Sequence, residues 1–138
     1  MKEKVLISAC LLGVNCKYDG NNNYDETLFK SLNKYELIPV CPEVWGGLTT
    51  PRYPSEISEN KVINNHGEDV TINFRKGAQE TLELAKKLGV KKAILKAKSP
   101  SCGNGKIYDG TFTGKLIDGD GITTRLLKEN GIEVITLK

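Results

Sequence analysis

The chain has 138 residues, a formal net charge of +3, and 38% hydrophobic and 27% charged residues. A chain of this length can bury about two-thirds of the surface that its unfolded form exposes, so residues 1–138 are expected to fold as one domain. The small net charge and the lack of a Lys/Arg run are atypical of nucleic-acid-binding proteins, and no stable nucleic-acid partner is predicted.

The first apolar stretch is too short for a membrane span or for a secretory signal with its cleavage site. No membrane partner is therefore expected, and a cytoplasmic location is predicted. In a reducing cytoplasm the four cysteines are expected to be free, catalytic or bound to metal rather than paired in structural disulfides. Their positions therefore carry functional information.

Strands and helices are predicted to alternate along the chain. Compact apolar runs predict four strands, at residues 4–9, 36–41, 90–98 and 132–137. Helical spacing of apolar residues predicts three helices, at residues 25–34, 73–88 and 122–129. Strands that alternate with helices indicate a parallel sheet with right-handed crossovers. The predicted fold class is α/β: a single-domain, Rossmann-like, open and mainly parallel sheet of about four strands flanked by helices.

Three segments depart from this alternation. Residues 42–58 hold three of the five prolines, which predicts a shaped loop. Residues 61–72 are expected to form a small β-hairpin insertion with its tip at Asn65-His66-Gly67. Residues 108–121 are rich in Gly, Asp and Thr and are predicted to form an irregular excursion.

Three of the four cysteines follow predicted strands. Cys10 and Cys41 end the first and second strands, and Cys102 lies just past the third. In an open parallel sheet, ligands bind outside the carboxyl ends of the strands, where the following loops converge. Cysteines that only fill a core are expected inside strands or on apolar helix faces instead. The sequence therefore predicts that these three thiols meet at one rim of the sheet.

The fourth cysteine, Cys16, lies six residues after Cys10 in a loop, and it fits a fourth ligand, a resolving thiol or a structural residue. The chain has no CxxC pair, and its only histidine, His66, falls at the predicted hairpin tip, so a local zinc knuckle is not indicated. Three thiolates from three strands suit either zinc or an iron-sulfur cluster. A cluster held by only three thiolates leaves one iron open for catalysis.

Charged and aromatic residues lie beside the predicted thiol site. Glu43 follows the second of these cysteines by two residues and is interpreted as a proton-transfer group rather than a surface charge. Arg52 and Lys98 are predicted to lie near the rim and to contact an anion. Trp45 and Tyr53 are expected to pack their loop rather than to stack on a ligand.

Three motifs together carry a family resemblance: SACLLGVNCKYDG, PVCPEVWGGLTTPRYPSEI and KAKSPSCGNGKIYDGTFTG. Over nearly its whole length the sequence resembles a small bacterial and archaeal family, long catalogued as a domain of unknown function, that includes the thiouracil desulfurases, or desulfidases. The resemblance implies an enzyme with a 4Fe-4S cluster, and therefore cluster-assembly machinery as a partner. It also implies a non-redox reaction in which thiouracil or 4-thiouridine 5'-monophosphate loses its sulfur as hydrosulfide.

The resemblance also implies roles for individual residues. By motif, the cluster ligands are Cys10, Cys41 and Cys102. Cys16 also belongs to the motif and is an alternative to Cys41. Glu43 is implied as an acid/base residue, and Ser99 or Ser101 as a residue that handles a proton or contacts the substrate.

Two other classes of function fit the same residues. The first is a non-catalytic metal- or cluster-binding protein, or a sulfur-transfer protein, which would carry iron and sulfide without desulfurating a thiolated pyrimidine. The second is a thiol enzyme in which Cys102 is the nucleophile and Cys16 resolves it. The weakness of the second is that His66, the only histidine, is poorly placed to act as a base.

Overall fold

The computed structural model describes residues 2–137 and has a four-stranded parallel sheet at its centre. In chain order the elements are β1 (Glu3–Ser8), a 3-10 turn (Ala9–Leu12), α1 (Glu26–Ser31), β2 (Tyr35–Val40), α2 (Pro42–Trp45), β3 (Ser55–Ser58), β4 (Lys61–Asn64), α3 (Thr71–Leu88), β5 (Lys92–Lys96), β6 (Lys106–Tyr108), β7 (Leu116–Asp118), α4 (Ile122–Glu129) and β8 (Glu133–Leu137). The strand order is β2-β1-β5-β8, and all pairs of the central sheet are parallel. The predicted fold class is confirmed.

The central strand β1 is buried on both faces of the sheet, which is typical of parallel sheets. Leu6 packs into a core that includes Leu82 of α3 and Leu127 of α4. Val5 and Ile7, which point to the other face, pack into a second core with the 3-10 turn and α1. Because both faces are covered, the sequence of β1 is a continuous apolar run without alternating polar residues. The strand was predicted from this run.

The helices lie close to their predicted positions. α4 has the predicted bounds, whereas α1 is shorter than expected and begins after Asp25, whose carboxylate accepts a hydrogen bond from the Leu28 N–H at 3.1 Å. α3 begins two residues early, at Thr71, and ends at Leu88. Gly89 follows as the predicted C-terminal cap, with a φ of 70°. Within residues 2–137, no helix combines the length and the apolar character that crossing a lipid bilayer requires.

A small antiparallel hairpin is present, but its strands are not the predicted ones. β4 is the first arm of the predicted hairpin, and it pairs with β3, which precedes it. Of the expected second arm, Asp69 makes only an isolated bridge to Ile63, and Thr71 starts α3. The reason is local hydrogen bonding, because the N–H and the hydroxyl of Thr71 both donate to Asp69 Oδ1, at 2.9 and 2.6 Å, and this contact favours a helix start.

The two segments expected to be irregular contain further short elements. Pro42 is the first residue of α2, a position where the missing N–H of proline removes no helical hydrogen bond. In the excursion at residues 108–121 the chain returns as β7, which pairs with β6 to form a second hairpin. Both elements lie beside the site described below.

Two glycines allow α2 to lie directly against α3. A Cβ atom on Gly77 of α3 would be 1.8 Å from the Pro42 carbonyl oxygen, and a Cβ atom on Gly46 would be 2.0 Å from the Asn73 carbonyl oxygen. The Asn73 side chain also donates a hydrogen bond to the Gly46 carbonyl at 2.8 Å. The backbone of α2 is therefore fixed on α3 by a contact that only glycine permits.

Candidate active site

A cavity of about 600 Å³ lies at the carboxyl ends of β1, β2 and β5. The loops after these strands bring together eight of the residues singled out from the sequence, and these are Cys10, Cys16, Cys41, Glu43, Arg52, Lys98, Ser99 and Cys102. Ser101 is not part of the cavity wall. Residues that are far apart in the sequence thus meet at one rim of the sheet.

Each thiol reaches the cavity from a different backbone setting. Cys10 lies in the 3-10 turn after β1, and Cys41 is the residue immediately before α2. Cys102 lies in the turn after β5, where its N–H donates to Ser99 Oγ at 2.7 Å and its carbonyl accepts from the Thr124 hydroxyl at 2.9 Å. No three His, Cys, Asp or Glu side chains in the described part of the chain are grouped closely enough to hold a single metal ion.

The Cys16 thiol is near enough to Cys10 and Cys41 to shift the pKa of both, and the Cys41 thiol donates to the Cys16 carbonyl oxygen at 3.8 Å. Cys16 lowers the pKa of Cys10 to about 6, with further help from Asn23, whose Nδ2 donates to Cys10 Sγ at 3.3 Å. The same thiol lowers the pKa of Cys41 to about 7. The same two neighbours raise the pKa of Cys16. Cys10 and Cys41 therefore favour the thiolate form, which is the form that binds metals.

Cys102 is in a different electrostatic environment. It is buried against the core shared by α3 and α4, and this burial raises the pKa of its thiol to about 12. The hydroxyls of Ser101 and Ser8, 3.7 and 3.9 Å from Cys102 Sγ, act in the opposite direction. Since the thiolate is the reactive form of cysteine, this environment disfavours the thiol-enzyme alternative, in which Cys102 is the nucleophile.

Glu43 is paired with Arg52 in the wall of the cavity. Arg52 Nε lies 3.1 Å from Glu43 Oε1, and the two side chains are only 8% and 19% exposed. Burial raises the pKa of Glu43, and the Arg52 guanidinium opposes that shift. Arg52 also donates to the carbonyl oxygens of Cys16 at 2.8 Å and Thr49 at 3.2 Å. The guanidinium therefore positions Glu43, and contact between Arg52 and the substrate stays a prediction.

The two candidate serines have different surroundings. Ser99 lines the cavity and accepts the Cys102 N–H, so its own hydroxyl proton remains a donor towards a ligand. Ser101 is 1% exposed, and its hydroxyl is 2.8 Å from that of Thr123 in α4. The structure thus places Ser99 in contact with the cavity and Ser101 behind it.

Changing each serine to alanine is expected to separate these roles. Ser99→Ala should lower turnover by about 10²-fold, the lower range for loss of one proton-transfer group, and should cost about 1 kcal/mol of stability because the Cys102 N–H loses its acceptor. Ser101→Ala should instead lower the free energy of unfolding by about 1–3 kcal/mol, because the Thr123 hydroxyl loses its buried partner. Steady-state kinetics and thermal melts of both variants test this. The reverse pattern would assign the proton-handling role to Ser101.

Sequence reasoning missed several residues of the cavity wall, and Lys96, Asn23 and Phe112 are three of them. Lys96, the last residue of β5, lines the cavity, and partial burial lowers the pKa of its ammonium group, as do the charges of Lys17 and Lys98. The strand-end rule that selected the cysteines also applies to Lys96. Asn23 and Phe112 line the cavity from loops that have no periodic pattern, and no local signal marked them.

A parallel α/β sheet with thiols, a paired carboxylate and three lysines around one strand-end cavity defines the class of an α/β enzyme with a thiol-rich site. The model of the 2-thiouracil desulfurase family matches residues 5–138, and the chain belongs to this family. The predicted family and enzyme class are confirmed.

Two comparisons extend this result. The chain is 42% identical to the uncharacterized protein YbbK of Bacillus subtilis (strain 168), over 96% of this chain and 94% of that protein. A solved structure, described as the [4Fe-4S]-dependent thiouracil desulfidase TudS, superposes with a TM-score of 0.92 at 43% identity. The match covers 98% of this chain and 91% of that one, so the similarity in fold extends over both molecules.

Proposed function

We propose that this protein is an iron-sulfur-dependent desulfidase that converts a thiolated pyrimidine and water into the corresponding oxo-pyrimidine and hydrosulfide. The observation that carries the proposal is one cavity lined by four thiols and by the paired carboxylate of Glu43. Membership of the 2-thiouracil desulfurase family and similarity to the [4Fe-4S]-dependent TudS support it.

The residues of the cavity fit a 4Fe-4S cluster. Thiolates are the soft donors that iron-sulfur clusters take, and the cavity offers more thiols than the three that the proposal needs. We assign the ligand role to Cys10, Cys41 and Cys102. The Cys16 thiol, which lines the same cavity, is the alternative third ligand. The positive charges of the nearby lysines would balance the negative charges of the thiolates.

When bound, the cluster would supply an open iron that binds and polarises the thione sulfur of the substrate. Glu43, held by Arg52, would accept a proton from the attacking water. The Ser99 hydroxyl would donate a proton to the substrate ring or to the departing sulfur. The carbon-sulfur bond breaks as the carbon-oxygen bond forms, so water and the thione give the ketone and hydrosulfide, and no electrons are exchanged with a redox partner.

Thiouracil and 4-thiouridine 5'-monophosphate are the proposed substrates. Lys98 lines the cavity and has no carboxylate partner among the ion pairs of residues 2–137. It is therefore a better candidate to contact a phosphate than Arg52, which is paired with Glu43. Loading of the cluster would depend on cluster-assembly machinery. A cytoplasmic location also stays a prediction, which depends on the argument that the cysteines are kept reduced.

Anaerobic reconstitution with iron and sulfide tests the proposed function. The expected result is four irons and four sulfides per chain, the content of one 4Fe-4S cluster. The loaded protein should then convert 4-thiouracil or 4-thiouridine 5'-monophosphate, with loss of the thione absorbance and release of hydrosulfide. A full cluster without turnover of either compound would favour the non-catalytic cluster-binding or sulfur-transfer alternative. Bound zinc in place of iron would contradict the cluster assignment.

Single Cys→Ser variants are expected to identify the ligands. The changes Cys10→Ser, Cys41→Ser and Cys102→Ser should each lose most of the iron and sulfide, because a cluster left with two thiolates is weakly held. Cys16→Ser should retain both. Iron and sulfide counts and visible absorbance measure this independently of turnover. A variant pattern in which Cys16→Ser loses the cluster and Cys41→Ser keeps it would exchange the two assignments.

A further inference from the structure

Part of the cavity wall comes from the two small hairpins rather than from the central sheet. Tyr108, Phe112 and Gly114 line it from the β6–β7 hairpin, and Glu56 lines it from β3. The roles described so far for the thiols, Glu43, Ser99 and the lysines leave this part of the wall without a function. Its most unusual residue is Phe112, at the tip of the β6–β7 hairpin.

Phe112 has a backbone conformation that a large side chain rarely adopts. Its φ is 58°, in the left-handed region, where a Cβ atom costs about 1–2 kcal/mol. The phenyl group is also 38% exposed rather than packed in a core. The left-handed backbone opposes folding, and strain that a structure retains next to a cavity is a reason to look for a function.

Hydrogen bonds hold the tip of the hairpin in this conformation. Glu56 Oε1 accepts from the N–H groups of Gly110 at 2.9 Å and Phe112 at 3.1 Å. Within the tip, Asp109 Oδ1 accepts from the N–H and hydroxyl of Thr111, at 2.9 and 2.6 Å. Phe112 is therefore presented by a network of fixed contacts, and Glu56 is the residue that ties this network to the other hairpin.

The other aromatic candidates do not offer the same surface. Trp45 packs against the main core, and Tyr53 stacks on His66 with 3.7 Å between ring centroids, so neither lines the cavity. Tyr18 and Tyr108 also line it, but neither has the left-handed backbone that marks Phe112. Among the described residues, Phe112 is the one aromatic residue of the cavity wall whose ring carries no polar group.

We propose that Phe112, positioned by Glu56, forms the apolar face against which the pyrimidine ring of the substrate packs, and so selects flat heterocycles for the cavity. This inference rests on the proposed function. A thiolated pyrimidine is flat and polarisable, and stacking of a nucleobase on an aromatic side chain is a sequence-tolerant contact of substantial energy. Since the contact exists both before and after sulfur leaves, it acts on substrate and product binding rather than on the chemical step.

The test compares variants of the reconstituted enzyme with 4-thiouracil as substrate and uracil as a product ligand in calorimetry. Phe112→Ala should raise the KM and the uracil dissociation constant by roughly 5- to 100-fold, with kcat changed by less than about threefold. Phe112→Tyr should restore most of the binding, and Phe112→Leu should be intermediate. Phe29→Ala is the matched control, because Phe29 is also exposed but lies on α1 outside the cavity.

Two further variants separate recognition from structure. Phe112→Gly relieves the left-handed strain, so it should not lower the melting temperature although it weakens binding as Phe112→Ala does. Glu56→Gln keeps the shape of the anchor but weakens two charge-assisted hydrogen bonds, so it should raise KM by a smaller factor. Iron and sulfide counts should match the wild type in both.

Specific outcomes would overturn the inference. If Phe112→Ala and Phe29→Ala have the same KM and uracil affinity within twofold, Phe112 does not contact the base. A decrease in kcat with no change in KM or uracil affinity would also contradict the inference, because the variant would then bind substrate and product as the wild type does. Failure of the wild-type enzyme to turn over any thiolated pyrimidine would instead refute the proposed function, so the two failures are distinguishable.

Discussion

Glu43→Gln is expected to reduce the turnover of 4-thiouracil by roughly 10²- to 10⁴-fold, the range for loss of a general acid or base. Glutamine preserves the shape of the side chain and can still accept the hydrogen bond from Arg52 Nε. It cannot take a proton from water, so the loss should appear in kcat. Anaerobic steady-state kinetics on the reconstituted protein measure this effect.

The interpretation requires that the variant still carries its cluster. The iron and sulfide content of Glu43→Gln should therefore equal that of the wild type, whereas its melting temperature should fall, because the buried Arg52 guanidinium loses its carboxylate partner. Glu83→Gln is the matched control, because Glu83 is an exposed residue of α3 outside the cavity wall. A fully loaded Glu43→Gln variant with activity within about threefold of the wild type would exclude Glu43 as the catalytic base.

Gly77→Ala is expected to be strongly destabilising, although helix propensity alone predicts the opposite. In the interior of a helix, alanine is favoured over glycine by about 1 kcal/mol. At this position the added Cβ would lie 1.8 Å from the Pro42 carbonyl oxygen, and overpacking of this kind costs about 3 kcal/mol. The clash outweighs the propensity, so the melting temperature should fall by roughly 5–10 °C.

The same change should disturb the site, because α2 begins directly after Cys41 and contains Glu43. Cluster content and turnover are both expected to drop when α2 moves away from α3. Gly131→Ala is the control: it introduces left-handed strain at a φ of 77° with no atom within 4 Å of the new Cβ, and it lies outside the cavity wall. If Gly77→Ala melts at or above the wild-type temperature, the close contact between α2 and α3 does not limit stability.

The central sheet was predictable because its physical cause is local in the sequence. Each strand of a parallel sheet covered on both faces is a continuous apolar run, and β1 with Val5, Leu6 and Ile7 shows this directly. The small hairpins were placed wrongly or not at all, because tertiary contacts decide them. The start of α3 at Thr71 depends on the Asp69 carboxylate, and the position of α2 depends on Gly77, which follows it by more than thirty residues.

Part of the site was predictable for the same reason. The strand-end rule brought Cys10, Cys41 and Cys102 to one rim from sequence position alone. The pairing of Glu43 with Arg52 was not predicted, because it depends on the path of a proline-rich loop rather than on a repeating pattern. The contribution of Phe112 likewise depends on how the second hairpin packs on the first.

The wide separation of the thiols along the chain affects how the protein is stabilised. In the unfolded chain Cys10, Cys41 and Cys102 are joined by long flexible segments, so no compact chelating peptide exists there. A cofactor held by all three would bind the native state alone, and its binding free energy would add to the free energy of unfolding by mass action. Loading should therefore raise the unfolding temperature, and loss of the cofactor in air should shorten the lifetime of the folded protein.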